Sequence, residues 1–350
     1  MRNLLPLVMM RVKIGLPFLL FTSMLSSSEK GNIFCYRPPL NEPAFFVSGE
    51  FLYWKAVENN LDYVIKGQPV PPAGTETSAI GTEYSAKFGG DPGMRFELGY
   101  RFCPQFWDVS AQYLYYKGNG HANVHHPAFS TSQMIVGTFA QNTNAEMEKA
   151  SSSIKLTCHL LDFILAKRFE LTENLLFKFN TGVTALWMDQ DWRVNYDPFF
   201  INNQAQSNLI QNNWNFSGAG IRFGFEQEWY FGSGFGFLTE FSTAGIVGDY
   251  ETKRLYKATP LNGASQTLSD ASFHDTRFVP NIQFLLGPNW GRNTCYGHIN
   301  LFAGYEIQAF FNLAELNRSS FNTNSGSRVS HLSQGVIALQ GLTVKLLLNF

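Results

Sequence analysis

Beyond its first thirty positions this 350-residue chain has no apolar run approaching the roughly 18 residues that a membrane-crossing helix needs. A helical membrane protein is thereby excluded. The chain also lacks a basic run, or any stripe of Lys or Arg interleaved with aromatics, so no nucleic-acid partner is expected. Charge is scarce overall: Asp, Glu, Lys and Arg make up 15% of the residues and the formal net charge is −1. Cysteine is scarcer still. Its four copies, Cys35, Cys103, Cys158 and Cys295, stand far apart, which leaves no CxxC redox pair and no zinc pair. A GxSxG nucleophile motif is missing as well. No catalytic residue, metal or cofactor is expected.

Aromatic residues and glycine, by contrast, are plentiful. The chain has 33 Phe, 14 Tyr, 7 Trp and 30 Gly, a mixture that favours strands and tight turns over helices.

At the N-terminus, Arg11 and Lys13 precede the apolar stretch 14–25, and Ser26, Ser27 and Ser28 follow it. A basic region, a short apolar region and a small-residue exit predict a secretory signal peptide over 1–28. About a dozen apolar residues, interrupted by Pro17, are too few to span a bilayer. The apolar prefix 4–10 leaves open whether translation starts at Met1, Met9 or Met10. Ile33 and Phe34 before Cys35 do not suit a lipid-attachment site. Residues 29–44 are then a periplasmic N-terminal segment, and 45–350 the remaining domain.

That domain alternates in steps of two. In Met94 to Phe102, Met94, Phe96, Leu98, Tyr100 and Phe102 share one side, while Arg95, Glu97, Gly99 and Arg101 share the other. No helical face accommodates this pattern, but a strand does. The same alternation marks 107–116, 174–188, 235–241, 277–286 and 296–311, and more weakly 45–55, 153–169 and 214–231, where an apparent phase slip suggests a bulge. Short connectors are predicted at 103–106, 170–173, 232–234 and 287–295. Long polar ones are predicted at 56–93, 117–152, 189–213, 249–270 and 312–330. Transmembrane barrels place short turns on the periplasmic side and long loops outside. The expectation is an all-β, closed, up-and-down antiparallel transmembrane β-barrel of about ten strands, with 10 to 16 possible. Trp107, Tyr113, Tyr115, Trp187, Trp229 and Tyr296 lie near strand ends, where aromatic girdles sit. The closing strand carries Val344, Leu346, Leu348 and Phe350 on one face, the kind of ending that barrel-assembly machinery reads as an insertion signal.

Facing the other way, Glu50, Arg95, Glu97, Arg101, Asp108, Lys178, Arg222, Glu226, Glu240, Arg277, Glu306 and Lys345 are the candidates for lining the lumen. Both signs occur, so in a narrow barrel they could fill the interior as pairs or line a water path. His121, His125 and His126, with Asp197, fall in predicted outer loops, and His274 and Asp275 near a strand end. No motif fixes an acidic ligand beside them, so they read as loop histidines. Cys35, Cys103 and Cys295 are all expected on the oxidising periplasmic side, as disulfide partners or as free thiols, and Cys158 within a strand. Loops 201–215 and 317–330, rich in Asn, Ser and Thr, suit contacts with solvent or a host surface.

The stretch GEFLYWKA, 49–56, and the stretch 161–196, with Leu161, Asp162, Gly182, Asp189 and Gln190, resemble the major outer-membrane protein family of Legionella and chlamydia-like bacteria. The closing GLTV, 341–344, fits that family too. The chain departs from it in lacking the Pro often found in the central strand. The resemblance implies an abundant envelope protein of a Gram-negative outer membrane that passes small solutes by diffusion or stiffens the envelope. A non-conducting structural or adhesion barrel is the alternative, and an outer-membrane enzyme a more distant one. Implied partners are outer-membrane lipid and lipopolysaccharide, the barrel-assembly machinery, small solutes and further copies of the chain.

Overall fold

Each long strand pairs with its sequence neighbour, and the first pairs with the last. The computed structural model describes residues 43–350 except 71–77, 103–105, 127–133, 140–146, 199–205, 261–262, 295–296 and 322–327. The expected signal peptide, most of segment 29–44, Tyr296, and the candidate disulfide residues Cys35, Cys103 and Cys295 lie outside the described residues. The strands are β1 (Ala44–Glu58), β2 (Asp62–Val70), β3 (Ser78–Ser85), β4 (Gly90–Phe102), β5 (Trp107–His125), β6 (Met134–Gly137) and β7 (Met147–Thr172). They continue with β8 (Leu175–Pro198), β9 (Gln206–Gly232), β10 (Phe235–Pro260), β11 (Gln266–Thr294), β12 (Gly297–Phe321) and β13 (Arg328–Asn349).

Ten of them form a closed barrel in the order β1-β13-β12-β11-β10-β9-β8-β7-β5-β4. Closure runs from Phe46 opposite Asn349 to Glu58 opposite Ile337, and from Ala44 opposite Arg101 to Lys55 opposite Gly90. Both ends of the ring therefore lie on one side, with the short turns. In the β9–β10 turn, Gly232, Ser233 and Gly234 all have positive φ, at 109°, 53° and 85°, which two glycines make inexpensive. β2, β3 and β6 form a separate three-stranded sheet at the other end.

A continuous outward row exposes Phe51, Phe96, Phe163, Val183, Ile221, Val247, Phe278 and Tyr305. Large apolar side chains pointing away from a closed sheet need lipid, and closure pairs the ladder groups there except along part of the β11–β12 seam. Val344, Leu346 and Phe350 share that outward face, with Leu348 half-buried in it. We expect unboiled protein in SDS to migrate as a compact species that shifts on heating; identical mobility before and after boiling would contradict a detergent-resistant barrel.

Three sequence readings change. First, β7 to β12 run 24 to 29 residues, far longer than the roughly 10 that cross hydrocarbon, so much of 117–152, 189–213, 249–270 and 312–330 is strand instead of loop. Segment 56–93 likewise contains β2 and β3. Second, β11 continues through 287–294 where a connector was expected. Pro288 lacks an N–H, and the β11–β12 ladder skips from Leu286 opposite Tyr305 to Asn289 opposite Phe302, so the strand passes it without losing phase. Third, no register shift interrupts 45–55 or 153–169, and 214–231 has one at its turn end, where Phe231 is passed over between Gly232 opposite Phe235 and Tyr230 opposite Gly236; along the rest of these stretches the ladders keep register. The apparent slip is a change of interior. In β9, Trp214 and Phe216 point inward near the outer end, whereas Ile221 and Phe223 point outward to lipid.

The wall also parts at one place. The β11–β12 ladder extends from Thr294 opposite Gly297 to Asn281 opposite Phe310 and stops. Beyond it, β11 stays with β10, and β12 follows β13 after a register shift between Phe310 and Ala314. Pro280 offers no N–H at this seam. Asn312, with φ of 59°, donates its side-chain amide to the Phe278 carbonyl at 3.1 Å.

Candidate functional site

The inner face is built by the even or odd set that alternation leaves behind, so each inward polar residue arrives beside one from the neighbouring strand. Glu50 stands opposite both Arg95 and Lys345 in the ladders. Arg95 then bonds Glu50 at 2.6 Å and reaches across to Glu306, also at 2.6 Å. Glu306 further accepts from the Thr343 hydroxyl at 2.8 Å and from the Gln283 amide at 2.6 Å. Lys345 lies 3.2 Å from both Glu50 and Glu97, and Ser48 donates to Glu97. On the facing wall Arg222 holds Asp162 at 2.6 Å, Gln283 at 2.8 Å and Glu240 at 3.4 Å, while Lys178 pairs with Glu226 at 3.5 Å. Glu306 is fully buried and Arg95 3% exposed, so this belt is packed side chain against side chain. A charge so placed is tolerated only when paired.

Towards the short-turn end, Asp108 bridges Arg101 at 3.2 Å and Arg168 at 2.7 Å. Glu228 accepts from the Tyr230 hydroxyl at 2.6 Å and from the Asn289 amide. Towards the outer end the chemistry reverses. Leu114, Tyr116, Leu156, Leu186, Trp192, Tyr196, Phe216 and Ile246 are buried there in one apolar cluster, together with Tyr63, Val64 and Ile135 of the small sheet. The layers meet at Trp54. Its ring lies 5.4 Å from the Arg95 guanidinium and 6.0 Å from Tyr116, and its indole N–H donates to Thr343 at 3.1 Å.

Glu58 sits at the outer end of β1, past Phe51 and Tyr53, the last lipid-facing aromatics of that strand. One of its carboxylate oxygens has no partner, and burial pushes its carboxyl up to about 8, opposed in part by a hydrogen bond with Gln190. A carboxyl raised on folding stabilises fully below its ordinary value of 4.5 and loses that contribution as pH rises through about 8. Glu58→Gln should therefore flatten the loss of thermal stability between pH 5 and pH 9, read from the heating midpoint on gels. An unchanged profile would place the pH sensitivity elsewhere.

All the sequence-predicted lumen candidates point inward, and Glu50, Arg95, Glu97, Glu306 and Lys345 meet in one network. Arg101 and Asp108 belong to the lower cluster, and Arg277 to the outer layer, where it pairs with Glu315. Sequence reasoning missed Asp162, Arg168, Glu228, Glu315 and Gln283. Asp162 was readable, since it falls in phase with Leu160 and opposite in phase to Phe163 and Leu165. The histidines separate: His121 and His125 are exposed and His126 is buried. Asp197 is half-buried at the outer end of β8, and His274 and Asp275 are exposed on β11. Among the described residues no group of three His, Cys, Asp or Glu is placed to hold a metal ion. Cys158 is buried and free.

The family model described as Legionella pneumophila major outer membrane protein precursor matches residues 37–350. A search of curated protein sequences finds no match. Among solved structures, the outer membrane protease OmpT of Escherichia coli aligns at 10% identity over 88% of this chain and 97% of its own, with a TM-score of 0.39. A Pseudomonas aeruginosa FadL homologue aligns at 8% identity over 88% and 90%, with a TM-score of 0.24. The P. putida toluene transporter TodX aligns at 9% identity over the same shares, also with a TM-score of 0.24. Likeness at this level carries no activity across.

Proposed function

This chain belongs to the Legionella major outer membrane protein family, an outer-membrane β-barrel of Gram-negative bacteria, and we propose that it acts there as an abundant envelope-stiffening barrel whose lumen is closed at rest. The observation that carries this reading is the double filling of the interior: a paired ionic belt with Glu306 and Arg95 buried, and above it a contiguous apolar layer. A cross-section packed in both layers leaves no continuous water path, and cross-linking the walls through paired charges resists deformation. Purified protein in planar bilayers should give no steady conductance, and liposomes carrying it should swell in small sugars no faster than empty ones. Steady single-channel steps from the unmodified protein would overturn the closed-lumen reading.

One observation favours the second reading, passive diffusion of small solutes. Side chains of Lys178, Glu226, Glu240 and Lys345 remain 16 to 22% exposed along one side of the belt, a mixed-charge strip of the kind that sets selectivity in narrow pores. Opening it would require the apolar layer above to move. At the outer rim, exposed Lys87, Lys117 and Lys155 lie further out along the strands than the aromatic residues Tyr113, Tyr115 and Trp187, a placement suited to lipopolysaccharide phosphates.

A further inference from the structure

Inside the apolar outer layer one ring of polar groups stands out. Gln190 of β8 and Trp214 of β9 are ladder partners whose side chains face inward, each 4% exposed. The Trp214 ring stacks on Tyr250 of β10 with centroids 5.9 Å apart. The Arg277 guanidinium of β11 lies 3.5 Å over the other member of that stack, Tyr250, and pairs with Glu315 of β12. Glu58 of β1 reaches Gln190 from across the barrel.

Five polar atoms of this ring are buried without a hydrogen-bond partner: Glu58 Oε2, Gln190 Oε1, Trp214 Nε1, the Tyr250 hydroxyl and Arg277 Nη1. That is one acceptor on Gln190, two donors on Trp214 and Arg277, and two groups able to do either, the protonated Glu58 carboxyl and the Tyr250 hydroxyl, beside stacked aromatic rings. Buried orphans of this kind each cost free energy and call for a partner that is itself polar. The ring has no net charge to offer: Arg277 is balanced by Glu315, and burial keeps Glu58 protonated to about pH 8. An ion is therefore disfavoured, and so is a purely apolar guest, which would leave all five atoms unpaired. The ring also adjoins the seam where β11 and β12 part, since Arg277 and Glu315 lie just beyond its last ladder pair, Asn281 opposite Phe310.

We propose that Glu58, Gln190, Trp214, Tyr250 and Arg277 form a binding site for a small neutral polyhydroxy molecule of monosaccharide size. Hydroxyls of such a molecule donate to Gln190, accept from Trp214 and Arg277 and pair in either sense with Glu58 and the Tyr250 hydroxyl, while its C–H face lies against the Trp214 ring. The site stands whether or not the barrel conducts.

The test is equilibrium dialysis of the full chain, refolded in a detergent without a sugar headgroup, against labelled glucose, galactose, mannose and mannitol. At least one of the four should bind saturably at one molecule per chain. Gln190→Leu and Trp214→Phe, each confirmed as folded by heat-modifiable mobility, should weaken that binding at least tenfold. Absence of saturable binding for all four overturns the site, as does binding that both variants leave intact. Preference for glycine or toluene over every polyol would likewise refute the proposed ligand class. If either variant fails to fold, Trp214→Tyr with the remaining ring intact serves in its place, with the same tenfold criterion.

Discussion

Replacing Arg95 with Met should lower the unfolding free energy of the barrel by about 3–5 kcal/mol, because the change leaves carboxylates buried without their counter-charge. Arg95 holds Glu50 and Glu306 at 2.6 Å each, and Glu306 is fully excluded from solvent. Lys345 still neutralises Glu50 in the variant, at 3.2 Å, whereas Glu306 keeps only the neutral donors Thr343 and Gln283. The deficit should therefore fall on Glu306. Adding Glu306→Gln to Arg95→Met should recover most of the loss, since a neutral amide costs far less to bury than an unpaired charge. Urea titrations in detergent, followed by tryptophan emission, give both values. If Arg95→Met unfolds at the same urea concentration as the parent, the belt is not under the electrostatic load described.

Trp54→Ala should cost a similar amount, about 3–5 kcal/mol, for a different reason. Truncating a wholly buried indole removes its transfer free energy and leaves a void where layers meet. It also removes the donor to the Thr343 hydroxyl, which keeps only its bond to Glu306, and takes the aromatic face from Arg95. Because Trp54 and Arg95 touch, their effects should not add. The double variant should deviate from the sum by about 0.5–3 kcal/mol, the range for residues in contact. Strict additivity would mean that the apolar layer and the ionic belt are energetically separate.

Much of this barrel is legible in sequence because membrane-level positions obey one rule, apolar out and polar in. Met94 to Phe102 shows it without interruption, and the lumen candidates drawn from that rule all face inward. Legibility fails above the membrane, where the outer surroundings become water and the interior becomes apolar. In β7, Ile154, Leu156, Cys158 and Leu160 point in, while Phe163 and Leu165 point out. Read as a single pattern, the hydrophobic phase shifts by one, which resembles a bulge. The pairing partners of the belt are less legible still. That Arg95 meets Glu306, 211 positions away, depends on closure of the ring and not on local spacing. The orphan ring around Trp214 assembles from separate strands, and no spacing in the chain announces it.

The reversal of interior along each strand bears on how this chain can change its length over evolutionary time. Within β7, β8 or β9, inserting or deleting one residue inverts every side chain beyond it. Arginines of the belt would then face lipid and the tryptophans of the outer layer would face water, two penalties from a single codon event. Length variation among descendants of this sequence should therefore be confined to the tips and turns between strands, or arrive in pairs of residues. Drift in those tips leaves both layers untouched, so the surface presented to the outside can diversify while the wall beneath it stays fixed in register.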